Sequence, residues 1–317
     1  MKIAVLGPGA LGCLLAASLK EQGEEVVLLD YRPQRRELLQ RRGITVHTLA
    51  GEVRVAPVPV ALAAAGGAFD LVVVAVKAYQ TEAAAGLLPR LLAPGALVLT
   101  VQNGLGNLEA LAAAVGPERL LAGVVFAGAT RPEEGRVVHA GAGPTVIGAP
   151  PGSQVTPARL AQVAQVFRRA GWECRIRDDI EVVLWEKLLV NVGINPLTAL
   201  LRVPNGVLPA IPPAWELAVA AATEAAALAR ASGLALTVDP DTRLREVCAA
   251  TAANLSSMLQ DVLAGRPTEI AALNGQVVAR AKTHGLPTPV NYCLTRLLEA
   301  LEAAAPSRPS AEKDLVV

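Results

Sequence analysis

The chain has 317 residues, enough for two domains of ordinary size. Its 29 Lys and Arg residues balance its 28 Asp and Glu residues, and the net charge of +1 gives no electrostatic reason to bind nucleic acid or an anionic membrane. No stretch predicts a membrane span or a secretion signal, so we expect a cytoplasmic protein that acts on a small molecule.

The first half of the chain alternates short apolar runs with longer helix-forming stretches. This alternation is typical of βαβ units and predicts a parallel sheet. The predicted strands are Lys2–Leu6, Glu25–Asp30, Asp70–Val76, Ala96–Val101 and Leu120–Ala127. After them, Arg136–Ala140 and Thr145–Ile147 are expected to form an antiparallel pair joined through a glycine-rich turn.

The second half of the chain, from Ile180 onward, is rich in Ala and Leu with apolar residues at helical spacing. Breaks that contain Pro or Gly divide it into several helices. The breaks fall at residues 204–206, 211–213, 239–240, 265–267 and 284–287. We therefore expect an α/β domain over residues 1–177, an all-α domain over residues 178–317, and a poorly ordered tail after Pro306.

The motif GPGALG at residues 7–12 follows the first strand and begins a helix. In that context Gly7 permits a tight turn, Gly9 lets the backbone approach a pyrophosphate, and Gly12 lets the helix pack closely on the strand. The N–H groups of Ala10 and Leu11 lie at the helix start, where unpaired donors and the helix dipole favour an anion. The loop therefore predicts a Rossmann-type dinucleotide-binding domain.

The end of the second strand carries two opposing cofactor signals. Asp30 stands where a carboxylate could accept hydrogen bonds from an adenosine ribose, as NAD requires. The residues that follow it, Arg32, Arg35 and Arg36, could instead clamp a 2′-phosphate. We assign the phosphate to Arg32 because it lies in the turn itself, which predicts NADPH (NADP⁺), while Asp30 leaves NADH open.

Polar residues also follow two later strands. Lys77 and Gln80 come after the strand at 70–76, and Asn103 comes after the strand at 96–101. Ligands of open α/β sheets lie at the carboxyl ends of the strands, so all three residues are candidates for the cofactor site. An ordinary turn would explain Asn103 and Gly104 equally well.

The helical stretch LWEKLLVNVGINPLTALL carries a polar stripe. Lys187, Asn191 and Asn195 recur at intervals of four and share one face of an otherwise apolar helix. Burying an ammonium and two amides is costly unless each finds partners. A ligand or an internal polar network would supply those partners, and the spacing does not decide between the two.

The stretch NLSSMLQDVLAGRPTEIAALNG offers Ser256, Ser257 and Glu269 as further polar candidates. Glu269 is also explained as an acidic residue in the first turn of a helix. The four cysteines and three histidines are scattered without paired spacing, so we expect reduced thiols and no metal site.

Together these motifs resemble the ketopantoate reductase (2-dehydropantoate 2-reductase) family. The resemblance covers nearly the whole chain, from MKIAVLGPGALG through VKAYQT and QNGLGN to EKLLVNVGINPLTAL, VPNG and SSMLQD…RPTEI…LNG. It implies a Rossmann domain followed by an all-helical domain. It also implies NADPH-dependent reduction of 2-dehydropantoate to pantoate in pantothenate and coenzyme A biosynthesis.

The resemblance assigns roles at the matching positions. Lys187 resembles the family's catalytic lysine, a general acid, and Glu269 resembles the glutamate that assists it. The residues expected to hold the substrate are Lys77, Asn103, Asn191, Asn195 and Ser257. The residues expected to contact the cofactor are Gly7, Gly9, Ala10, Leu11, Gly12, Arg32, Lys77, Gln80 and Asn103.

Two other functions and the assembly state stay open. A related NAD(P)-dependent reductase of another branched 2-oxo acid would use the same loop and lysine. A non-catalytic NADP(H)-binding sensor would require the Lys187 stripe to be purely structural, which the presence of Glu269 and the asparagines argues against. The apolar helical domain leaves a homodimer open, because it could bury its surface internally or against a second copy.

Overall fold

The computed structural model describes residues 1–304 of the chain. The contacts divide the chain into two compact units. The first consists of Met1–Gln102 and Gly106–Ile180, and the second of Asn103–Leu105 with Glu181 and the described residues after it. The tail predicted to be poorly ordered lies outside the described residues.

The first unit carries the strands, which are numbered here in chain order. They are β1 (Lys2–Leu6), β2 (Glu25–Asp30), β3 (Ile44–His47), β4 (Val53–Ala56), β5 (Val60–Leu62), β6 (Phe69–Val74), β7 (Leu92–Thr100), β8 (Leu120–Val125), β9 (Gly128–Glu133), β10 (Arg136–Gly141), β11 (Thr145–Gly148) and β12 (Cys174–Ile176). Its helices are α1 (Ala10–Glu21), α2 (Pro33–Arg42), α3 (Thr81–Leu87), α4 (Asn107–Val115) and α5 (Pro157–Arg169).

The main sheet has the strand order β12-β11-β8-β7-β6-β1-β2-β5. The strands from β8 to β5 in this order run parallel, and β11 pairs with β8 in the antiparallel sense. The Val- and Leu-rich runs of β1 and β6 are buried along most of their length, as expected where helices cover both faces of a parallel sheet. The predicted Rossmann-type fold is confirmed.

The predicted pairing of 136–140 with 145–147 is wrong. Strand β10 pairs with β3 and β9 in a separate four-stranded sheet of order β4-β3-β10-β9, whereas β11 pairs with β8 and β12. The link between the two strands carries the chain from one sheet to the other. The two apolar runs and the glycine-rich link between them correctly indicated two strands, but they do not determine which strands pair. The pairing depends on which core each strand is buried in, and Val137 of β10 packs in the same core cluster as α1.

The second unit is helical. Its helices are α6 (Ile180–Leu201), α7 (Pro212–Ala231), α8 (Pro240–Ala250), α9 (Ser257–Leu263), α10 (Asn274–Thr283) and α11 (Pro289–Ala304). The predicted breaks fall between or at the starts of α7, α8, α10 and α11, but none was predicted between α8 and α9. Proline is the first residue of α7 and α8, where its missing N–H costs nothing. Among the described helices, none combines the length and apolar character needed to span a bilayer.

Helix α6 continues through Pro196, which has no N–H to donate to the Val192 carbonyl one turn earlier. The side chain of Asn274 replaces that donor: its Nδ2 lies 3.0 Å from the Val192 oxygen. The same amide nitrogen donates to Asn291 Oδ1 at 3.0 Å, and both asparagines are fully buried. A buried amide from α10 thus completes the part of α6 that carries Asn195.

We predict that Asn274→Ala lowers the free energy of unfolding by about 2–3 kcal/mol, because it leaves the Val192 carbonyl and the Asn291 amide oxygen unpaired. Urea unfolding measures the change. Gln276→Ala, on the same helix but partly exposed, is the control and should change stability by less than about 0.5 kcal/mol. In a Pro196→Ala background the N–H of residue 196 can reach Val192, so the Asn274→Ala loss should shrink; equal losses in both backgrounds would contradict this account.

Candidate active site

The glycine turn between β1 and α1 lies at the carboxyl edge of the main sheet. Gly7 has φ +112°, its N–H donates to the Leu29 carbonyl at 3.1 Å, and a Cβ at this position would lie 2.7 Å from the Val76 nitrogen. A Cβ on Gly12 would overlap the Gly7 carbonyl oxygen. The packing of the turn itself therefore requires both glycines.

Gly9 is different, because nothing in the fold requires it to be glycine. Its φ is −73°, and a Cβ there would meet only the Ala75 carbonyl oxygen, at 3.9 Å. Gly9 is the N-cap of α1, without a side-chain cap and without an acidic residue in the first turn. The N–H groups of Ala10 and Leu11 have no acceptor within the helix, so this open space suits an anion such as a pyrophosphate.

Asp30, at the end of β2, is held entirely by its own chain. Its carboxylate is 0% exposed and accepts two hydrogen bonds from the Arg35 guanidinium, from Nε at 2.6 Å and from Nη2 at 2.6 Å. It also accepts the backbone N–H groups of Tyr31 at 2.7 Å and Arg32 at 3.1 Å. These four hydrogen bonds occupy the oxygens that the sequence offered to a ribose.

The arginines on either side of Arg35 are less completely bonded. Arg32 Nη2 donates to the Tyr31 hydroxyl at 3.0 Å, and Gln80 Nε2 donates to the same hydroxyl at 2.6 Å. Within residues 1–304, the Nε atoms of Arg32 and Arg36 are buried without a hydrogen-bond partner. Two guanidinium groups, each with a donor that lacks an acceptor, are suited to binding a phosphate group. The sequence interpretation missed Tyr31, although a hydroxyl between Asp30 and Arg32 was a readable signal.

Lys77 lies at the same sheet edge as the glycine turn. It follows β6, which is parallel to and paired with β1, and its carbonyl accepts the N–H of Gln80 at 2.8 Å. The first unit therefore gathers at one edge the glycine turn, Arg32, Lys77 and Gln80. This is the edge at which open α/β sheets bind ligands.

In the second unit, Lys187 lies on α6 next to the charge of Glu269. Lys187 is partly buried and Glu269 is 7% exposed. Burial lowers the pKa of Lys187 to about 8, and the negative charge of Glu269 acts in the opposite direction. An ammonium with this pKa can release a proton readily near neutral pH.

Asn191 and Asn195 continue the stripe on α6. Asn195 is only 8% exposed, and neither side-chain amide makes a hydrogen bond to another residue in the described part of the chain. Amides donate and accept without adding charge, so they suit the hydroxyl and carboxylate groups of a small substrate.

Two adjacent serines at the start of α9 have different surroundings. Ser256 is the N-cap: its Oγ accepts the Leu259 N–H at 3.1 Å and the hydroxyl of Thr198 on α6 at 2.8 Å. Ser257 is the first residue of α9 and is exposed. The Thr198 contact fixes α9 against α6 one turn beyond Asn195, so Ser256 is structural and Ser257 has a solvent-facing side chain.

The loop that carries Asn103 belongs to the helical unit, although it follows strand β7. The Leu105 N–H donates to the Ala272 carbonyl at 3.0 Å, and the Ala272 N–H donates to the Glu269 carbonyl at 3.0 Å. Gly104 has φ +83°, and a Cβ there would overlap the Ala272 carbonyl. The structure therefore places Asn103 beside the turn that carries Glu269, a position that its spacing in the sequence did not indicate.

The fold and these residues define a dinucleotide-dependent oxidoreductase with a Rossmann-type and an all-helical domain. The model of the family described as ketopantoate reductase PanE/ApbA matches residues 3–152, and that of its C-terminal region matches residues 179–302. A 2-dehydropantoate 2-reductase from Halobacterium salinarum is 41% identical over 299 residues, which cover 94% of this chain and 98% of that protein. The chain belongs to the ketopantoate reductase family of NAD(P)-dependent oxidoreductases, as its sequence motifs predicted.

Solved structures show the same fold. A 2-dehydropantoate 2-reductase from Geobacter metallireducens is 35% identical with a TM-score of 0.87, covering 95% of this chain and 99% of its own. A D-mandelate dehydrogenase in complex with NADH and anilino(oxo)acetate is 25% identical with a TM-score of 0.90, covering 96% and 99%. The prediction that the chain is an oxidoreductase is confirmed.

We predict that Gly9→Val lowers the affinity for NADPH at least tenfold, by about 1.4 kcal/mol or more, because a branched side chain fills the space in front of α1. Stability should fall by no more than about 1–2 kcal/mol, since no atom of the fold opposes the side chain. Fluorescence titration and thermal melting measure the two effects. Gly12→Ala is the contrasting variant, expected to destabilise the fold through its overlap with Gly7; an unchanged NADPH affinity in Gly9→Val would remove this turn from the cofactor site.

Proposed function

We propose that the chain reduces 2-dehydropantoate to pantoate with NADPH, and that Lys187 donates the proton. The observation that carries the proposal is the partly buried Lys187 ammonium, with its pKa lowered to about 8 beside the Glu269 carboxylate. The family and the near full-length similarity to 2-dehydropantoate 2-reductases support 2-dehydropantoate as the substrate. The product would then enter pantothenate and coenzyme A biosynthesis.

Reduction of a 2-oxo acid needs a hydride at the carbonyl carbon, which a bound nicotinamide cofactor supplies. The chain's own task is to protonate the carbonyl oxygen as negative charge develops on it. Lys187 Nζ does this, and its lowered pKa brings the strength of the acid closer to that of the working pH. Glu269 keeps the ammonium form populated, because its negative charge opposes the effect of burial.

The remaining polar residues bind and orient the substrate. Asn191 and Asn195 share the face of α6 that carries Lys187, and we assign them to the hydroxyl and carboxylate ends of the substrate. Ser257 and Asn103 add a hydroxyl and an amide from α9 and from the loop beside Glu269. Lys77 is assigned to the nicotinamide and the substrate by its family position.

Two observations support NADPH as the cofactor. Arg32 and Arg36 each have a buried Nε without a partner in the described chain, as a site for a 2′-phosphate requires. Asp30 is already occupied by Arg35 and by two backbone N–H groups. In the described structure, the turn after β2 therefore offers donors to a phosphate, while its carboxylate, Asp30, is already paired.

A second candidate is the reduction of a different 2-oxo acid. The TM-score of 0.90 to a D-mandelate dehydrogenase, in a structure that contains NADH, favours it. The third alternative, a non-catalytic sensor, has no support among these relatives, which are enzymes.

Initial rates of NADPH and NADH oxidation with two substrates test the proposal. The substrates are 2-dehydropantoate and benzoylformate, the 2-oxo acid that corresponds to mandelate. We expect kcat/KM for 2-dehydropantoate to exceed that for benzoylformate by about 100-fold or more, because a site built for a substrate hydroxyl rejects an analogue without it. Equal or better use of benzoylformate would favour the second candidate.

We predict that Lys187→Ala lowers kcat by about 10²–10⁴-fold, or about 3–5 kcal/mol of barrier, and leaves NADPH affinity and the melting temperature near wild type. Lys187→Arg should stay slow as well, because a guanidinium keeps its proton at any working pH. Glu186→Ala, the neighbouring partly exposed residue on α6, is the control. A purely structural lysine would instead cost about 3–5 kcal/mol of stability when truncated.

The pH dependence of the rate follows from the pKa of Lys187, which lies near 8. The protonated form is the acid, so kcat/KM should be level below this pKa and fall about tenfold per pH unit above it. Glu269→Gln removes the charge that raises the pKa of Lys187, so the descending limb should move to lower pH. A limb that stays in place in Glu269→Gln would show that Glu269 does not act on Lys187.

A further inference from the structure

A carboxylate at the end of the second Rossmann strand is normally the group that selects NAD. It lies about 20 residues after the glycine motif and accepts hydrogen bonds from the adenosine ribose. Asp30 occupies that position here, yet it is fully buried and bonded to its own chain. A carboxylate typical of NAD-binding proteins thus lies beside arginines that are suited to a 2′-phosphate. The contacts of Arg35 explain how the carboxylate and the arginines can occupy the same turn.

The polar contacts of Arg35 are made with carboxylates of its own unit, chiefly Asp30. Its Nε and Nη2 donate to the two Asp30 oxygens, each at 2.6 Å, in the bidentate arrangement that arginine and carboxylate favour. Its Nη1 lies 3.8 Å from the Glu134 carboxylate, and its side chain is 10% exposed. Arg35 therefore neutralises two carboxylates and has little surface left for a phosphate.

Asp30 in turn holds the turn that presents Arg32. Its Oδ1 accepts the backbone N–H groups of Tyr31 and Arg32, and the guanidinium groups of Arg32 and Arg35 lie 5.2 Å and 5.4 Å from the centre of the Tyr31 ring. The two arginines share one aromatic ring but differ in their partners. Arg35 is bonded to the carboxylate, whereas Arg32 keeps a buried Nε without a partner in the described chain.

We propose that the Asp30–Arg35 pair determines the cofactor preference: Arg35 occupies and neutralises a carboxylate that would otherwise select NADH, and the pair holds the turn so that Arg32 meets the 2′-phosphate. Arg35 is a positioning residue in this arrangement and not a phosphate ligand. The inference rests on the proposed use of NADPH through Arg32.

Without Arg35, the Asp30 charge would be unpaired at the place where the phosphate is expected. Like charges at close range repel, and the repulsion is strong where water is excluded. The same free carboxylate oxygens would accept the 2′- and 3′-hydroxyls of the NADH ribose. Loss of Arg35 should therefore weaken NADPH binding and strengthen NADH binding, which the loss of a phosphate ligand alone would not do.

The test measures binding and turnover in a set of variants. Titration calorimetry gives the Kd of adenosine 2′,5′-bisphosphate and of 5′-AMP, and steady-state rates give kcat/KM for NADPH and NADH. The variants are Arg35→Leu, Arg35→Lys, Asp30→Asn/Arg35→Leu, Arg32→Ala and Arg41→Leu. Arg41 lies on the same helix and is exposed, so its variant controls for the loss of one positive charge.

For Arg35→Leu we expect the NADPH/NADH ratio of kcat/KM to fall about 10–100-fold, with a higher kcat/KM for NADH than in wild type. The Kd values for the bisphosphate and for 5′-AMP should converge in the same variant. Removing the carboxylate in Asp30→Asn/Arg35→Leu should restore most of the preference for the phosphate, and Arg35→Lys should keep part of it. Arg41→Leu should leave both ratios unchanged.

An Arg35→Leu variant that loses equal activity with both cofactors, or a double variant that recovers no preference, would overturn the inference and identify Arg35 as structural or as a phosphate ligand. If Arg35→Leu does not fold, the double variant decides: retained preference for the bisphosphate supports the inference, and lost preference overturns it. Two other results would contradict the proposed function. If the wild type binds the bisphosphate no more tightly than 5′-AMP, or if Arg32→Ala keeps the full preference for the bisphosphate, the NADPH assignment is wrong and this inference falls with it.

Discussion

The chemistry proposed for the helical unit depends on one costly arrangement, the partial burial of the Lys187 ammonium. The desolvation of Lys187 lowers its pKa to about 8, and the Glu269 carboxylate offsets part of that cost. Well-packed apolar side chains would stabilise the fold as well as this ion pair does. The arrangement fits the proposed role of Lys187 as an acid. The Asn274 bond that completes α6 and the Ser256 bond that fixes α9 both stabilise the helix that carries this lysine.

The first unit also places a cation beside a buried carboxylate, here Arg35 beside Asp30. Its sheet edge offers unpaired donors, from the start of α1 and from Arg32, and the carboxylate nearby is neutralised by Arg35. Parallel strands make this possible because all their carboxyl ends lie on one edge, so residues far apart in sequence meet there. One unit is thus suited to binding a phosphorylated dinucleotide, and the other to supplying a proton and neutral hydrogen bonds to a small substrate.

Local patterns made much of this readable from the sequence. The glycine turn, the proline breaks and the stripe on α6 each depend on spacing within a few residues. Partners far apart in sequence were not readable: β10 and β11 looked like one hairpin and lie in different sheets, and Asn274 reaches a carbonyl 82 positions away. The bond between Asp30 and Arg35 could not be predicted because it depends on how α2 is oriented relative to β2. The pKa of Lys187 could not be predicted because it depends on the tertiary surroundings of the side chain.

The most direct test of this account is a titration of Lys187 itself. The chain has six lysines, so protein labelled with ¹³C at the lysine Cε gives few NMR signals, and Lys187→Arg assigns the relevant one. We expect the Lys187 signal to titrate with a pKa near 8, well apart from the ordinary lysines, and Glu269→Gln to lower this pKa further. A Lys187 signal that titrates together with the other lysines, near pH 10.4, would contradict it.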